Sequence, residues 1–169
     1  MLPNLIKDAM LSVEGVGYAG QIDISQMPKT ARKMEDYWAG GMSGPIEIDM
    51  GAEKLEMEFE AHGVDADLLK QYGKTGVAGV GFRINASVEN DDDVCTTKAL
   101  EIIGRGRFRE IDPGGHKAGD KGSVKYSVAL ASIKYTMDGE DIIEIDNANY
   151  IFKVNGNDLL EKRRRALKL

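Results

Sequence analysis

Ile46-Glu47-Ile48-Asp49-Met50-Gly51-Ala52-Glu53-Lys54-Leu55-Glu56-Met57-Glu58-Phe59-Glu60 is the stretch from which the fold of this chain is read. Ile46, Ile48 and Met50 alternate with Glu47 and Asp49, and Leu55, Met57 and Phe59 alternate with Glu56, Glu58 and Glu60. A period of two belongs to β-strands, whose successive side chains point to opposite faces. The break at Gly51-Ala52-Glu53-Lys54 predicts two strands folded as a hairpin, with one apolar face and one carboxylate face. Like charges side by side on a sheet repel each other. Such a face is either simply well solvated or useful for its negative potential.

The stretch also holds much of the chain's charge imbalance. The 169 residues carry 22 Lys and Arg against 28 Asp and Glu, a net charge of −6. Residues 1–62 hold five basic and eleven acidic side chains, whereas the remainder is balanced. An acidic chain is a poor candidate for holding phosphates by counterion release. The length fits one domain spanning 1–169. Glycine, at 20 residues with only 4 prolines, exceeds its usual share of ~7% and marks turns rather than a disordered tract.

Working outward, 16–27 reads as a first strand closed by Pro28, and 29–45 as a glycine-rich loop carrying Tyr37, Trp38 and Met42. Aromatics on a long loop point to a contact surface. Val64–Gly73 reads as a short helix, with acids in its first turn, Lys70 later and Gly73 as its stop. Val77–Asn90, Val94–Ile111 and Ser123–Met137 are strand-like, and Asp138-Gly139 turns into Asp141–Asp146. Asp112–Gly122 is a polar loop. Tyr150–Val154, a turn at Asn155-Gly156 and a basic helix over Asp158–Leu167 close the chain. The expectation is a soluble, mainly β domain with a short central helix and a C-terminal helix.

Motifs for chemistry fail on context. Gly15-Val16-Gly17-Tyr18-Ala19-Gly20 satisfies GxGxxG, but strand alternation continues through Gln21–Ser25 where a dinucleotide site needs a helix. Gly76-Val77-Ala78-Gly79-Val80-Gly81 lacks the Lys-Ser/Thr of a phosphate loop. His62 and His116 have no ligating neighbours in sequence, and Asn90-Asp91-Asp92-Asp93 lacks the ligand spacing of a calcium loop, so it reads as a solvated turn. The single cysteine, Cys95, excludes an internal disulfide and favours a reducing compartment. No stretch approaches 18 apolar residues, and the start has no basic region leading into an apolar run, so neither a membrane anchor nor a signal peptide is expected. No catalytic residue, cofactor or metal is assigned, and the chain reads as a non-enzyme.

Met27-Pro28-Lys29-Thr30-Ala31-Arg32-Lys33-Met34-Glu35-Asp36-Tyr37-Trp38-Ala39-Gly40-Gly41-Met42-Ser43-Gly44-Pro45, running on through Ile46–Gly51 to Glu53–Met57, resembles the major tail tube proteins of contractile-tailed bacteriophages. R-type pyocin tube subunits are similar. Ile111-Asp112-Pro113-Gly114, Lys117–Asp120, Asp138-Gly139, Glu144-Ile145-Asp146 and Asn155-Gly156 extend the resemblance over nearly the whole chain.

The resemblance implies a β-barrel or sandwich subunit whose strands join a large barrel in a hexameric ring. Rings would stack as the inner tube of a contractile tail, a virion structure assembled in the host cytoplasm. Implied partners are further copies of the chain, the tail sheath protein, and baseplate and tail terminator proteins, with DNA passing through the lumen without specific binding. On this reading Glu47, Asp49, Glu56, Glu58 and Glu60 line the lumen, and Arg32, Lys33, Tyr37, Trp38 and Met42 make contacts between subunits or rings. A secretion-system tube protein and a monomeric β-sandwich binding module are the competing readings.

Overall fold

The computed structural model describes residues 2–92 and 96–169. Asp93 and Cys95, singled out above, lie outside the described residues. The strands are β1 (Leu5–Val13), β2 (Val16–Gly17), β3 (Ile22–Lys29), β4 (Arg32–Tyr37), β5 (Ile46–Ala52), β6 (Leu55–His62), β7 (Val80–Glu89), β8 (Thr97–Asp112), β9 (Ser123–Met137), β10 (Glu140–Asp146), β11 (Ile151–Val154) and β12 (Asn157–Asp158). Two short helices, α1 (Ala66–Gln71) and α2 (Glu161–Leu167), complete the fold. The mainly β class with a central and a terminal helix is as expected.

All strand pairings among the described residues are antiparallel. The main sheet runs β12-β11-β10-β9-β8-β7-β1-β2, with β6 joined to β9 and β3 to β6. The long strands β8 and β9 serve two layers. Residues 123–130 of β9 pair with β6 and residues 132–137 pair with β10, while 97–106 of β8 pair with β7. The ladder between β8 and β9 shifts register at Arg105/Gly106, and a bulge of this kind bends and twists a sheet.

The bend lets both layers face one core. Phe59 of β6 stacks on Tyr126 of β9 with ring centroids 4.9 Å apart. Phe108 of β8 meets Tyr126 edge-on at 5.5 Å and Phe82 of β7 at 5.5 Å. Leu11, Val13, Ile84 and Ile102 fill the second layer. The alternation in β6 is fully expressed: Leu55, Met57, Phe59 and Ala61 are buried while Glu56, Glu58 and Glu60 are not. Leu68 of α1 is buried in the same cluster. That helix starts where Asp65 accepts hydrogen bonds from the N–H groups of Asp67 (2.8 Å) and Leu68 (2.9 Å), satisfying donors that a helix start leaves free.

The structure corrects the expected hairpin of 46–60. β5 does not pair with β6; it pairs with β4, and β6 pairs with β3 and β9. The Glu53 N–H donates to the Ala31 carbonyl (3.0 Å), bridging the β3–β6 ladder to the β4–β5 ladder. Residues 22–62 thus form one long hairpin, and Gly51–Lys54 interrupts one of its arms instead of reversing the chain. Gly51, at φ +128°, takes a conformation that side-chain-bearing residues rarely adopt. The segment 29–45 is corrected in the same way, since Arg32–Tyr37 is a strand and only its end is a loop. A strand at Leu5–Val13 precedes the one read as first.

Candidate functional site

The distal half of that hairpin, 32–52, stands apart from the main sheet as a two-stranded ribbon. Its register places Asp36 opposite Glu47 and Met34 opposite Asp49 on one side, and Tyr37 opposite Ile46 and Glu35 opposite Ile48 on the other. No residue of 32–52 is buried. Trp38 at the tip is 67% exposed, Ile46 54% and Met50 56%. An isolated two-stranded hairpin is marginal in water, and this one leaves an apolar face uncovered within the chain.

Of the predicted contact residues, the structure joins Trp38 to Met42: the indole Nε1–H donates to the Met42 carbonyl (3.2 Å), and the Ala39 N–H approaches the Met42 Sδ (3.4 Å). Arg32 sits at the ribbon base, where its Nε donates to Asp49 Oδ2 (2.9 Å) and its guanidinium lies 5.0 Å from the centre of the Phe152 ring. Lys33 pairs with Glu35 at 3.2 Å. Tyr37 is exposed on the apolar side.

The predicted lumen residues fall into two groups. Glu47 and Asp49 are on the ribbon, whereas Glu56, Glu58 and Glu60 lie on β6, on the side of the sheet opposite the core. Neighbouring strands place further charges beside the second group. At the Glu60 level are Asp23, Lys125 and Asp112; at the Glu58 level, Gln26, Ser127 and Glu110; at the Glu56 level, Lys29, Ala129 and Arg107. The result is a charged strip with an acidic end and a basic end.

Several of these charges neutralise one another, so the expected uniform carboxylate face is not what forms. Glu56 meets Arg109 Nη1 at 2.9 Å and Lys54 Nζ at 3.3 Å. Arg109 first, and Lys54 next, hold the Glu56 carboxyl below the usual carboxylate range. Glu60 accepts from the Ser123 hydroxyl (3.3 Å) and faces Lys125 at 3.6 Å, and His62 meets Asp23 at 2.8 Å. Glu58 and Glu110 at the middle level, and Lys29 and Arg107 at the basic end, have no ion pair among the described residues. Exposed pairs like these contribute little stability; what they change is the potential of the face. Sequence reading missed this basic component, although Arg105-Gly106-Arg107-Phe108-Arg109 has the same period of two as the acidic stretch.

Near the ribbon base, the C-terminal helix is tied down by one residue. Arg164 forms a short ion pair with Asp158 and donates to the Tyr150 carbonyl (3.0 Å). Arg164 holds the Asp158 carboxyl below its ordinary value, with the Leu160 N–H assisting. A depressed carboxylate contributes stability that is present above its unfolded pKa, ~3.9, and is lost as pH falls through the lower folded value. The protection factors of the amides over 161–167, which divide out the intrinsic slowing of exchange in acid, should therefore be highest near neutral pH and fall as pH drops below ~3.9. Asp158→Asn should show the lowered protection already at neutral pH.

No group of three metal-ligating side chains occurs among the described residues, and no described helix is long and apolar enough to cross a membrane.

Comparison with known proteins fits this architecture. The tail tube protein of Escherichia phage P2 is 37% identical over 171 residues, covering 99% of each chain. The major tail tube protein of Serratia phage KSP20 is 31% identical, covering 96% of this chain and 94% of its own length. Among solved structures, the sheath/tube terminator of an extracellular contractile injection system, PVC, aligns with a TM-score of 0.58 over 80% of this chain and 98% of that one, at 7% identity. A chain of the sheath-tube complex of that system aligns at 0.54 over 79% of this chain and 91% of that one, at 10% identity. These last two likenesses establish a shared fold. With residues 3–167 also matching the family described as phage tail tube protein FII, the chain belongs to the phage tail tube proteins.

Proposed function

We propose that the chain is a self-assembling structural subunit that forms hexameric rings, stacked into the inner tube of a contractile tail, through which DNA passes. The observation that carries this reading is the ribbon 32–52, which pairs only with itself and leaves Tyr37, Trp38, Ile46, Ile48 and Met50 uncovered. Covering them requires another chain, and joining strands of successive subunits into a wide barrel would also remove exposed sheet edges and leave an aqueous channel. The sheath, baseplate and terminator are the further partners on this reading. Assembly takes place in the host cytoplasm, and the product is part of the virion.

The charged strip on β3, β6, β9 and β8 is the lumen wall in this proposal. With Lys54 included, its five cations (Lys29, Lys54, Arg107, Arg109 and Lys125) face six carboxylates (Asp23, Glu56, Glu58, Glu60, Glu110 and Asp112). The excess is acidic. Six copies would present a banded, weakly negative bore on which DNA slides without being held.

Negative-stain microscopy of the purified chain should show hollow tubes; uniform small monomers at high concentration would overturn the tube reading and favour a binding module. The wall assignment has its own test in a Cys95→Ser background. Glu58→Cys in assembled tubes should react with a small maleimide that diffuses in from the ends, but not with a bulky polymer-linked one. Equal labelling by both reagents would put Glu58 on the outside.

A further inference from the structure

We infer that the ribbon tip of one copy inserts into a notch at the ribbon base of the next copy, with Trp38 as the plug and α2 supplying cations for Asp36 and Glu47. The inference rests on the tube reading and specifies which surfaces make the contact between stacked copies.

The notch lies where the ribbon leaves the sheet. Its volume is about 220 Å3; Ala52, Leu55, Ile143, Ile145, Phe152 and Val154 give it a mostly apolar lining, which Thr30, Ala31 and Arg32 complete. That is several times the roughly 30 Å3 share of one liquid water, enough to admit a large side chain. Trp38 suits such a site because its only polar atom is already satisfied by the Met42 carbonyl within its own tip. A buried indole otherwise needs a hydrogen-bond partner, and of the lining side chains only Thr30 carries an acceptor.

Charge complementarity identifies the occupant as a second copy of this chain. Asp36 and Glu47 stand directly opposite each other beside the tip, and neither has an ion pair among the described residues. Like charges in register are unfavourable, and covering them without a cation would cost more. Beside the notch the balance is of the opposite sign, since α2 and its C-cap carry Lys162, Arg163, Arg164, Arg165 and Lys168 against Glu161. The Leu159 N–H donates to the Phe152 carbonyl (2.9 Å), which brings the start of α2 beside the notch. Lys162 on α2 and Lys168 at its C-cap have no ion pair among the described residues. Arg163 is near enough to Asp49 at the ribbon base for its charge to add to the larger effect of Arg32 on that carboxyl.

A chain cannot fill its own notch. The tip and base are opposite ends of a six-residue strand, β4, which spans roughly 20 Å at the rise of an extended chain. The contact is therefore between copies, and it joins two different surfaces. Such a heterologous contact leaves a free tip and a free notch at the ends of any stack, so it propagates along one axis and gives the polymer a direction.

The test is a charge swap, read as the protein concentration needed for tubes in negative stain and sedimentation. Asp36→Lys with Glu47→Lys, and separately Lys162→Glu with Arg163→Glu, should each raise that concentration by about tenfold or more. The four changes combined should restore it toward that of the parent chain. Trp38→Ala should act in the same direction as the double variants without any change of charge. All these positions are exposed, and circular dichroism should match the parent. Either double variant assembling like the parent, or a fourfold variant no better than the doubles, overturns the tip-to-notch contact while leaving the tube reading intact. A parent chain that forms no tubes overturns both.

Discussion

Gly106→Ala is expected to lower the stability of the unassembled chain by about 3 kcal/mol or more. A Cβ at this position would lie 2.2 Å from the Ala129 carbonyl oxygen and 2.8 Å from the Leu130 Cα. Both atoms are backbone, held by the ladder between β8 and β9 at the point where the register shifts and the sheet turns from one layer to the other. Relief would require the strands to separate where they are most needed. For a domain of this size, where each kcal/mol moves the midpoint by roughly 2–4 °C, thermal denaturation should shift down by about 10 °C. Gly104→Ala is the control. There the close atom, at 3.1 Å, is the Leu130 Cδ2, the end of a side chain that can rotate, so the loss should stay within about 1 kcal/mol. Equal effects at the two positions would refute the backbone argument.

This corner also shows which parts of the fold sequence can specify. Period two correctly marks β6 as a strand, because Leu55, Met57 and Phe59 are driven into the core and their neighbours are not. It gives the same answer for β5, although Ile46, Ile48 and Met50 remain exposed within the chain. Alternation reports that one face seeks cover; it is silent on whether that cover comes from the same molecule. Nor does it identify the partner strand. Gly51-Ala52-Glu53-Lys54 looks like a reversal between two matched strands, and only the long-range pairing of β6 with β9, and of β5 with β4, decides otherwise. Local signals did better. Asp65 with Asp67 and Lys70 placed α1, and the 138–139 and 155–156 turns fall where glycine and its neighbour adopt positive φ.

The charged strip shows the same division between local and long-range information. Glu56, Glu58 and Glu60 were legible as one face of a strand, but the sign of the whole face depends on strands that enter from elsewhere in the chain. Lys125 arrives on β9, and Arg107 and Arg109 on β8. A sequence run of acids therefore overstates the negative field, since antiparallel neighbours bring basic residues to its flanks.

Removing 32–52 should separate folding from assembly. Ala31 and Glu53 are already joined across the hairpin by a 3.0 Å hydrogen bond, so a two-residue Asn-Gly turn in place of the ribbon would close the chain with little strain. None of the deleted residues is buried; the core cluster draws on β1, β3, β6 to β10 and α1, with Tyr18 from the segment after β2. The losses are the exposed Arg32–Asp49 pair and the contact of Arg32 with Phe152, both small in energy. The shortened chain should keep its β circular-dichroism spectrum and melt within a few degrees of the parent, roughly the shift from losing 1 kcal/mol. It should also form no tubes at any concentration at which the parent does. Loss of the cooperative melt would mean that the ribbon belongs to the fold after all, and tubes from the shortened chain would mean that copies stack through other surfaces. A folded chain that cannot polymerise is the outcome required if 32–52 exists to reach another copy.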